Sequence, residues 1–337
     1  MPSSLKVLVV PSLLADRRSE YLDQLEAAGL EVLRSPLGRP YHEDDLIEGL
    51  RGVFATVAGI ESYTERVLRE APALEVIARF GVGYDQIDVP AATRHGVYVA
   101  MAFGANHETV ADLALTLMGA VARNVVVYHQ RVAAGGWGWE FRPGLWQATV
   151  GIVGLGRIGR AVARRCRGYE MRILAHDIAP DWAYARSHGI ELASLEQLLA
   201  ASDFVTLHAP HNPETDRLMN AARFRLMKPT AFLINTARGG LVDETALHEA
   251  LVTRRIAGAG LDVFRSEPPT GSPLLGLDNV VLTPHAAGSD LAAEAATGRC
   301  SVESILAVAR GDSPPTSLLL NPEVNAVART RRRRVST

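Results

Sequence analysis

Three ionisable residues stand just beyond apolar, β-branched runs in the second half of the sequence. The run 231–235 leads into Thr-Ala-Arg238-Gly-Gly, the run 257–263 holds Asp262 and leads to Glu267, and the run 280–283 leads to Pro284-His285. A guanidinium can bind a carboxylate or polarise a carbonyl, an imidazole can exchange a proton near neutrality, and a carboxylate can orient that imidazole. Ligands of open α/β sheets collect beyond the carboxyl ends of the strands, so these loops can converge. Each residue also has an ordinary reading: Arg238 as a surface ion-pair partner, Glu267 as a solvated loop charge, His285 as a capping or buried structural histidine. Their order on successive strand ends behind a nucleotide motif favours the joint reading.

That motif is Gly154-Leu-Gly156-Arg-Ile-Gly159, after the apolar run 149–153 and before a helical stretch. The first glycine permits a tight turn, the second lets backbone approach a pyrophosphate, and the third lets helix and strand pack closely. The helix that follows aims free N–H groups and a partial positive charge at phosphate. Asp177 ends the next strand, where a carboxylate accepts hydrogen bonds from ribose hydroxyls and repels an added phosphate, which favours NAD over NADP. Alone, the glycines read as a tight loop and Asp177 as an ordinary strand-end acid. With strand, glycines, helix and acid in order, the nucleotide reading prevails.

The elements that must position these groups alternate. Strands are expected at 5–10, 31–33, 53–57, 76–80 and 97–99, with helices at 19–28, 44–50, 64–70 and 90–95. A long helix at about 107–133 and a Trp-rich link (Trp137, Trp139, Trp146) precede strands at 149–153, 172–176, 204–207, 231–235, 257–263 and 280–282. A last helix is expected at 289–310. This pattern predicts an α/β protein of two doubly wound domains. The 337 residues, 47% hydrophobic and 21% charged, suit two globular cores. A net charge of −2 argues against a surface built for nucleic acid or anionic membrane. The two cysteines form no CxxC pair, no histidine–carboxylate spacing suggests a metal, and neither a leader nor a membrane span is read, so a cytoplasmic protein is expected. The basic run Arg329–Arg334 reads as a solvated end.

From about Phe54 to Asn321 the chain resembles the D-isomer-specific 2-hydroxyacid dehydrogenase family, which includes D-3-phosphoglycerate dehydrogenases and glyoxylate/hydroxypyruvate reductases. The likeness rests on Arg79-Phe-Gly-Val-Gly-Tyr-Asp-Gln-Ile-Asp88, Thr109-Val-Ala-Asp-Leu-Ala-Leu115, the glycine block, Leu207-His-Ala-Pro210, Ile234-Asn-Thr-Ala-Arg-Gly-Gly-Leu-Val-Asp-Glu244, Gly258-Ala-Gly-Leu-Asp-Val-Phe264 with Glu267-Pro268, and Leu282-Thr-Pro-His285. It implies a Rossmann NAD-binding domain (102–285) inserted in a flavodoxin-like substrate domain (1–101 and 286–325), with a basic tail at 326–337. It also implies NAD-dependent interconversion of a small D-2-hydroxy acid and its 2-keto acid, in a homodimer.

Position by position, the resemblance implies that Arg238 binds the substrate carboxylate and carbonyl, that His285 is the acid/base, and that Glu267 orients it. Backbone amides of Gly81, Val82 and Gly83, from the first domain, would hold the carboxylate. Asp262, Thr236 and Ala237 would position the nicotinamide. Arg157 and Ile158 would meet the pyrophosphate, with His208, Ala209 and Pro210 on the adenosine side and Gly288 also at the cofactor. Asp112 stands where the family usually has Glu, the segment 101–104 departs from the family's usual stretch and Phe103 in it is expected near the cleft, and His107 is a further substrate contact to consider. The Trp cluster reads as packing or dimer contact. Two other readings stay open: a member acting on an unusual oxoacid such as a phosphonate, and an NAD(H)-sensing binding protein of co-repressor type. Turnover with 2-keto acids separates enzyme from sensor.

Overall fold

A computed structural model of the chain describes residues 4–15, 19–37, 39 and 41–328. The basic run Arg329–Arg334 lies outside the described residues. The chain divides into two compact units, Met1–Asn106 with Asp290–Thr337, and His107–Ser289. The changeovers fall at Asn106/His107 and Ser289/Asp290, four to five residues beyond the positions read from sequence.

The first unit is built on β1 (Lys6–Val9), β2 (Glu31–Arg34), β3 (Ala55–Ala58), β4 (Val76–Arg79) and β5 (Tyr98–Met101), all parallel, in the order β2-β1-β3-β4-β5. This is the flavodoxin-like order. β3 and β5 are buried along their whole length, as expected of parallel strands covered on both faces. Alternate residues feed two cores. Val7, Val9 and Tyr98 pack with Leu22, Leu25 and Ile305 on one face, and Leu8, Ile77 and Val99 pack with Leu46, Tyr63 and Leu68 on the other. Phe103 packs against the second of these cores.

The C-terminal segment is stitched to the edge strand by backbone bonds and by one side chain. The Met101 amide donates to the Leu318 carbonyl (2.7 Å) and the Leu320 amide to the Val99 carbonyl (2.9 Å), with Ala100 opposite Leu319 in an antiparallel bridge. Asn321, fully buried, accepts from the Val99 amide (2.9 Å) and donates to the Val97 carbonyl and Thr93 Oγ1 (both 3.0 Å). The side-chain amide thereby extends this short antiparallel pairing and keeps the Val99 amide and the Val97 carbonyl bonded at the sheet edge.

The second unit contains β6 (Thr149–Val153), β7 (Arg172–His176), β8 (Glu191–Leu192), β9 (Phe204–Leu207), β10 (Phe232–Asn235), β11 (Gly258–Leu261) and β12 (Val280–Leu282). All are parallel, in the order β12-β11-β10-β9-β6-β7-β8, which is Rossmann order with the reversal between β6 and β9. β8 was not foreseen: two residues at a sheet edge carry no readable period. The helix expected at 107–133 is two helices, His107–Ala122 and Val125–Ala133, broken at Asn124, whose φ is +55°. The first buries Ala114, Leu117, Met118 and Val121 against the sheet, whereas the second buries no residue fully. Among the described residues no single helix is long and apolar enough to cross a membrane. Asp112 serves a packing contact: its carboxylate accepts from Arg165 Nε (2.6 Å), and Arg165 also pairs with Glu108 (2.6 Å).

Candidate active site

The catalytic candidates lie on neighbouring strand ends of the second unit. β10 ends at Asn235, whose buried side chain shapes the next turn: Oδ1 accepts from the Ala237 amide (3.0 Å) and Nδ2 donates to the Arg238 carbonyl (2.9 Å). Arg238 Nη1 donates to the Ala237 carbonyl (2.7 Å). Gly239 then presses on the loop after β11, since a Cβ there would lie 1.9 Å from the Phe264 carbonyl carbon. No other residue fits, and that contact brings the Arg238 turn beside the loop carrying Glu267.

Glu267 Oε1 accepts from the Phe264 amide (3.0 Å), and Oε2 meets His285 Nδ1 at 2.7 Å. Burial works to raise the Glu267 carboxyl. The hydrogen bonds from His285 and the Phe264 amide, with the charges of His285 and Arg238, outweigh it and hold the group below the usual carboxylate range. Glu267 therefore stays anionic. With Nδ1 committed to it, His285 has Nε2 for proton exchange.

His285 occupies a left-handed backbone conformation (φ +54°) that a non-glycine residue rarely adopts. Asp262 holds it there. Its carbonyl accepts from the His285 amide (2.8 Å), while its fully buried carboxylate accepts from Thr283 Oγ1 (2.6 Å) and the amides of Ala286 (2.8 Å) and Ala287 (2.9 Å). The group assigned from sequence to the nicotinamide thus spends three bonds on the turn that carries the histidine.

The cofactor candidates gather around β6. Gly154 has φ +94°, and a Cβ there would meet the His208 carbonyl at 2.7 Å; at Gly159 it would meet the Gly154 carbonyl oxygen at 2.1 Å. At Gly156 nothing lies within 4 Å, which leaves room for a ligand where the helix Arg157–Gly168 begins. The Asp177 carboxylate accepts from the Leu155 amide (2.7 Å) and the Ala179 amide (2.9 Å), tying the end of β7 to the glycine turn. A carboxylate offers about four lone-pair sites, so ribose hydroxyls can still donate to it. His208, at the end of β9, hydrogen-bonds Thr206 Oγ1 through Nε2 (2.9 Å), and its buried Nδ1 has no partner. Burial pushes its pKa down to about 3, so this imidazole is neutral. Thr236 Oγ1 is likewise buried and unpartnered. Ala209 and Pro210 follow His208, Ala237 adjoins Arg238, and Gly288 lies in the turn after His285. The glycine turn, the helix start and the strand-end acid fit a dinucleotide.

Residues 115–287 match the model of the D-isomer specific 2-hydroxyacid dehydrogenase, NAD binding domain. The chain belongs to this family. It is 44% identical over 265 residues to the glyoxylate reductase of Korarchaeum cryptofilum, covering 77% of this chain and 79% of that one. It is 41% identical to the glyoxylate reductase of Pyrococcus furiosus, over 85% and 88% of the two chains. Among solved structures, the NADPH-dependent glyoxylate/hydroxypyruvate reductase of Sinorhizobium meliloti in complex with citrate is similar with a TM-score of 0.79 and 30% identity, over 95% of this chain and 98% of that one.

Within this dehydrogenase family the chain's own supporting residues come into view. Asn235 and Thr283 were not singled out from sequence, although each lies within three residues of a candidate. Arg265, in the Glu267 loop, was also missed: its amide donates to Glu244 (2.7 Å) and its guanidinium to Asp216 (3.2 Å). In the first unit, the 80–83 loop follows β4. The Gly81 amide, expected to face a carboxylate, donates instead to the Arg79 carbonyl (2.9 Å). The amides of Val82 and Gly83 donate to no described group. His107 opens the first helix of the second unit, with Nε2 3.2 Å from Glu108.

Proposed function

We propose that this dehydrogenase reduces glyoxylate and hydroxypyruvate, or oxidises the corresponding 2-hydroxy acids, glycolate and D-glycerate, with NAD(H) as its preferred cofactor. The observation that carries the reading is the 2.7 Å contact between Glu267 and His285 Nδ1, made on the strand-end turns of a unit that also holds the glycine motif. The relatives named glyoxylate reductase support the substrate class.

The bound nicotinamide supplies the hydride or receives it. The chain's residues do the rest. Arg238 pairs with the substrate carboxylate and draws electron density toward the carbonyl oxygen. His285 Nε2 gives that oxygen a proton in reduction and removes it in oxidation. Glu267 keeps the ring oriented and compensates the imidazolium, which its anionic state allows. On the first unit, Val82 and Gly83 supply the carboxylate-binding amides. Gly154, Gly156, Gly159, Arg157 and Ile158 hold the pyrophosphate, Asp177 the ribose, His208 to Pro210 the adenosine side, and Thr236, Ala237, Asp262 and Gly288 the nicotinamide end. Asp177 supports NAD, because its charge would repel a 2′-phosphate. The nearby Arg160 is already engaged with Asp181 and stacked on Tyr184.

A homodimer formed through the second unit would cover its exposed aromatic surface. Trp137 and Phe141 are 87% and 94% exposed, beside Trp139, Trp146 and the solvent-facing Val125 and Val132. Apolar patches of this kind mark interaction surfaces. A cytoplasmic setting accords with two free thiols, Cys166 and Cys300.

The test is a panel of 2-keto acids with NADH and NADPH, with light scattering for mass. Turnover of glyoxylate and hydroxypyruvate with NADH preferred is expected, and Asp177→Ser should reduce that preference. Tight NADH binding without turnover on any member of the panel would overturn the enzyme reading.

A further inference from the structure

Arg79, the last residue of β4, lies beneath the 80–83 loop. Its Nε donates to the Gly83 carbonyl (2.9 Å) and its Nη1 to the Phe80 carbonyl (2.5 Å), with the Ala58 carbonyl at the end of β3 within 3.4 Å of Nη1. The loop rests directly on the cation: a Cβ at Gly81, where φ is +149°, would lie 2.9 Å from Nη1. Two loop carbonyls therefore point down onto the guanidinium. Because the Gly81 amide turns back to the Arg79 carbonyl, Val82 and Gly83 are left as the loop's open donors.

A second charged group sits behind this arrangement. Glu61, in the loop after β3, is 5% exposed and folds over Gly59, where a Cβ would meet its carboxylate at 2.7 Å. One of its oxygens is buried without a partner. Burial raises its carboxyl, against the pull of backbone hydrogen bonds and the Arg79 charge.

We propose that Arg79 is a positioning residue for the substrate's carboxylate: by gripping the Phe80 and Gly83 carbonyls it aims the Val82 and Gly83 amides outward and puts a cation under them. This rests on the proposed 2-keto acid reaction. Successive backbone N–H groups facing one way form an anion-binding concavity, and a fixed charge beneath deepens it. A lysine keeps the charge but offers no planar fork to hold two carbonyls at once.

The test compares wild type, Arg79→Lys, Arg79→Gln and Gly81→Ala, whose added methyl would push on the guanidinium. Glyoxylate and its methyl ester are each reduced with NADH, NADH affinity is read by fluorescence, and oxalate affinity by calorimetry. Arg79→Lys should raise the glyoxylate KM roughly tenfold and Arg79→Gln further, with the methyl ester KM and NADH affinity near wild type. Gly81→Ala should follow Arg79→Lys, and keeps the proposal testable if the arginine variants do not fold. An unchanged glyoxylate KM in folded Arg79→Lys, or equal losses for glyoxylate, ester and NADH, would overturn the positioning role. Wild type without turnover would instead defeat the proposed reaction. Oxalate bound equally by wild type and Arg79→Lys would defeat the role of Arg79 by itself.

Discussion

Replacing Asp262 with asparagine should disarm His285 without touching it. The carboxylate makes three bonds, to Thr283 Oγ1 and the Ala286 and Ala287 amides, and none is exposed to water. Asparagine keeps the shape but has one acceptor oxygen. Turned toward Ala286, it sets its NH2 against the Ala287 amide, and the two surviving bonds lose their charge. A lost charged bond is worth roughly 2 kcal/mol and the two weakened ones about 1 kcal/mol each, so the turn loses about 4 kcal/mol. The left-handed backbone at His285 costs about 1–2 kcal/mol, which the weakened turn no longer outweighs comfortably. A shift of the imidazole by about 1 Å lowers turnover roughly a hundredfold. For a unit of this size the same loss lowers Tm by roughly 8–16 °C. Steady-state kcat at saturating NADH, read beside calorimetric melting and NADH affinity, checks this. Unchanged kcat with only NADH affinity reduced would refute the reasoning, because it would place Asp262 at the cofactor alone.

Two further outcomes follow from buried polar groups. His208 takes up its proton only near pH 3 in the folded chain but near 6.5 once unfolded. Between those values the unfolded state binds more protons, so stability falls as pH drops from 6.5 toward 3, by about 2 kcal/mol at pH 5. His208→Asn should remove that part of the acid decline in urea melts at pH 7 and 5, and an unaltered decline would show the ring titrates normally. Asn321→Ala strands the Val99 amide and the Val97 carbonyl, costing roughly 2–5 kcal/mol. Urea unfolding of the full chain should show it, and an unmoved midpoint would mean water replaces the side chain without loss.

Much of this architecture was legible because it rests on local chemistry. The glycines at 154 and 159 are demanded by contacts of 2.7 and 2.1 Å that any side chain would violate, so they appear in sequence as a fixed pattern. Parallel strands buried on both faces appear as apolar runs, and a group just past such a run is placed at the ligand-binding edge. His285, Glu267 and Arg238 could be found in that way. What escaped depends on partners distant in sequence. Nothing near Asp262 says that its carboxylate will accept from residues 283, 286 and 287. The Arg79 clamp needs β3 beside β4, and Arg265 matters only because Glu244 and Asp216 fold against it. The break at Asn124 escaped because apolar helical spacing runs through it, and β8 because two residues have no period.

The account stands most directly on proton transfer at His285. At saturating NADH and glyoxylate, folded His285→Ala should turn over at least about a hundredfold more slowly than wild type, with NADH bound as before. Near-wild-type turnover in that variant would contradict it.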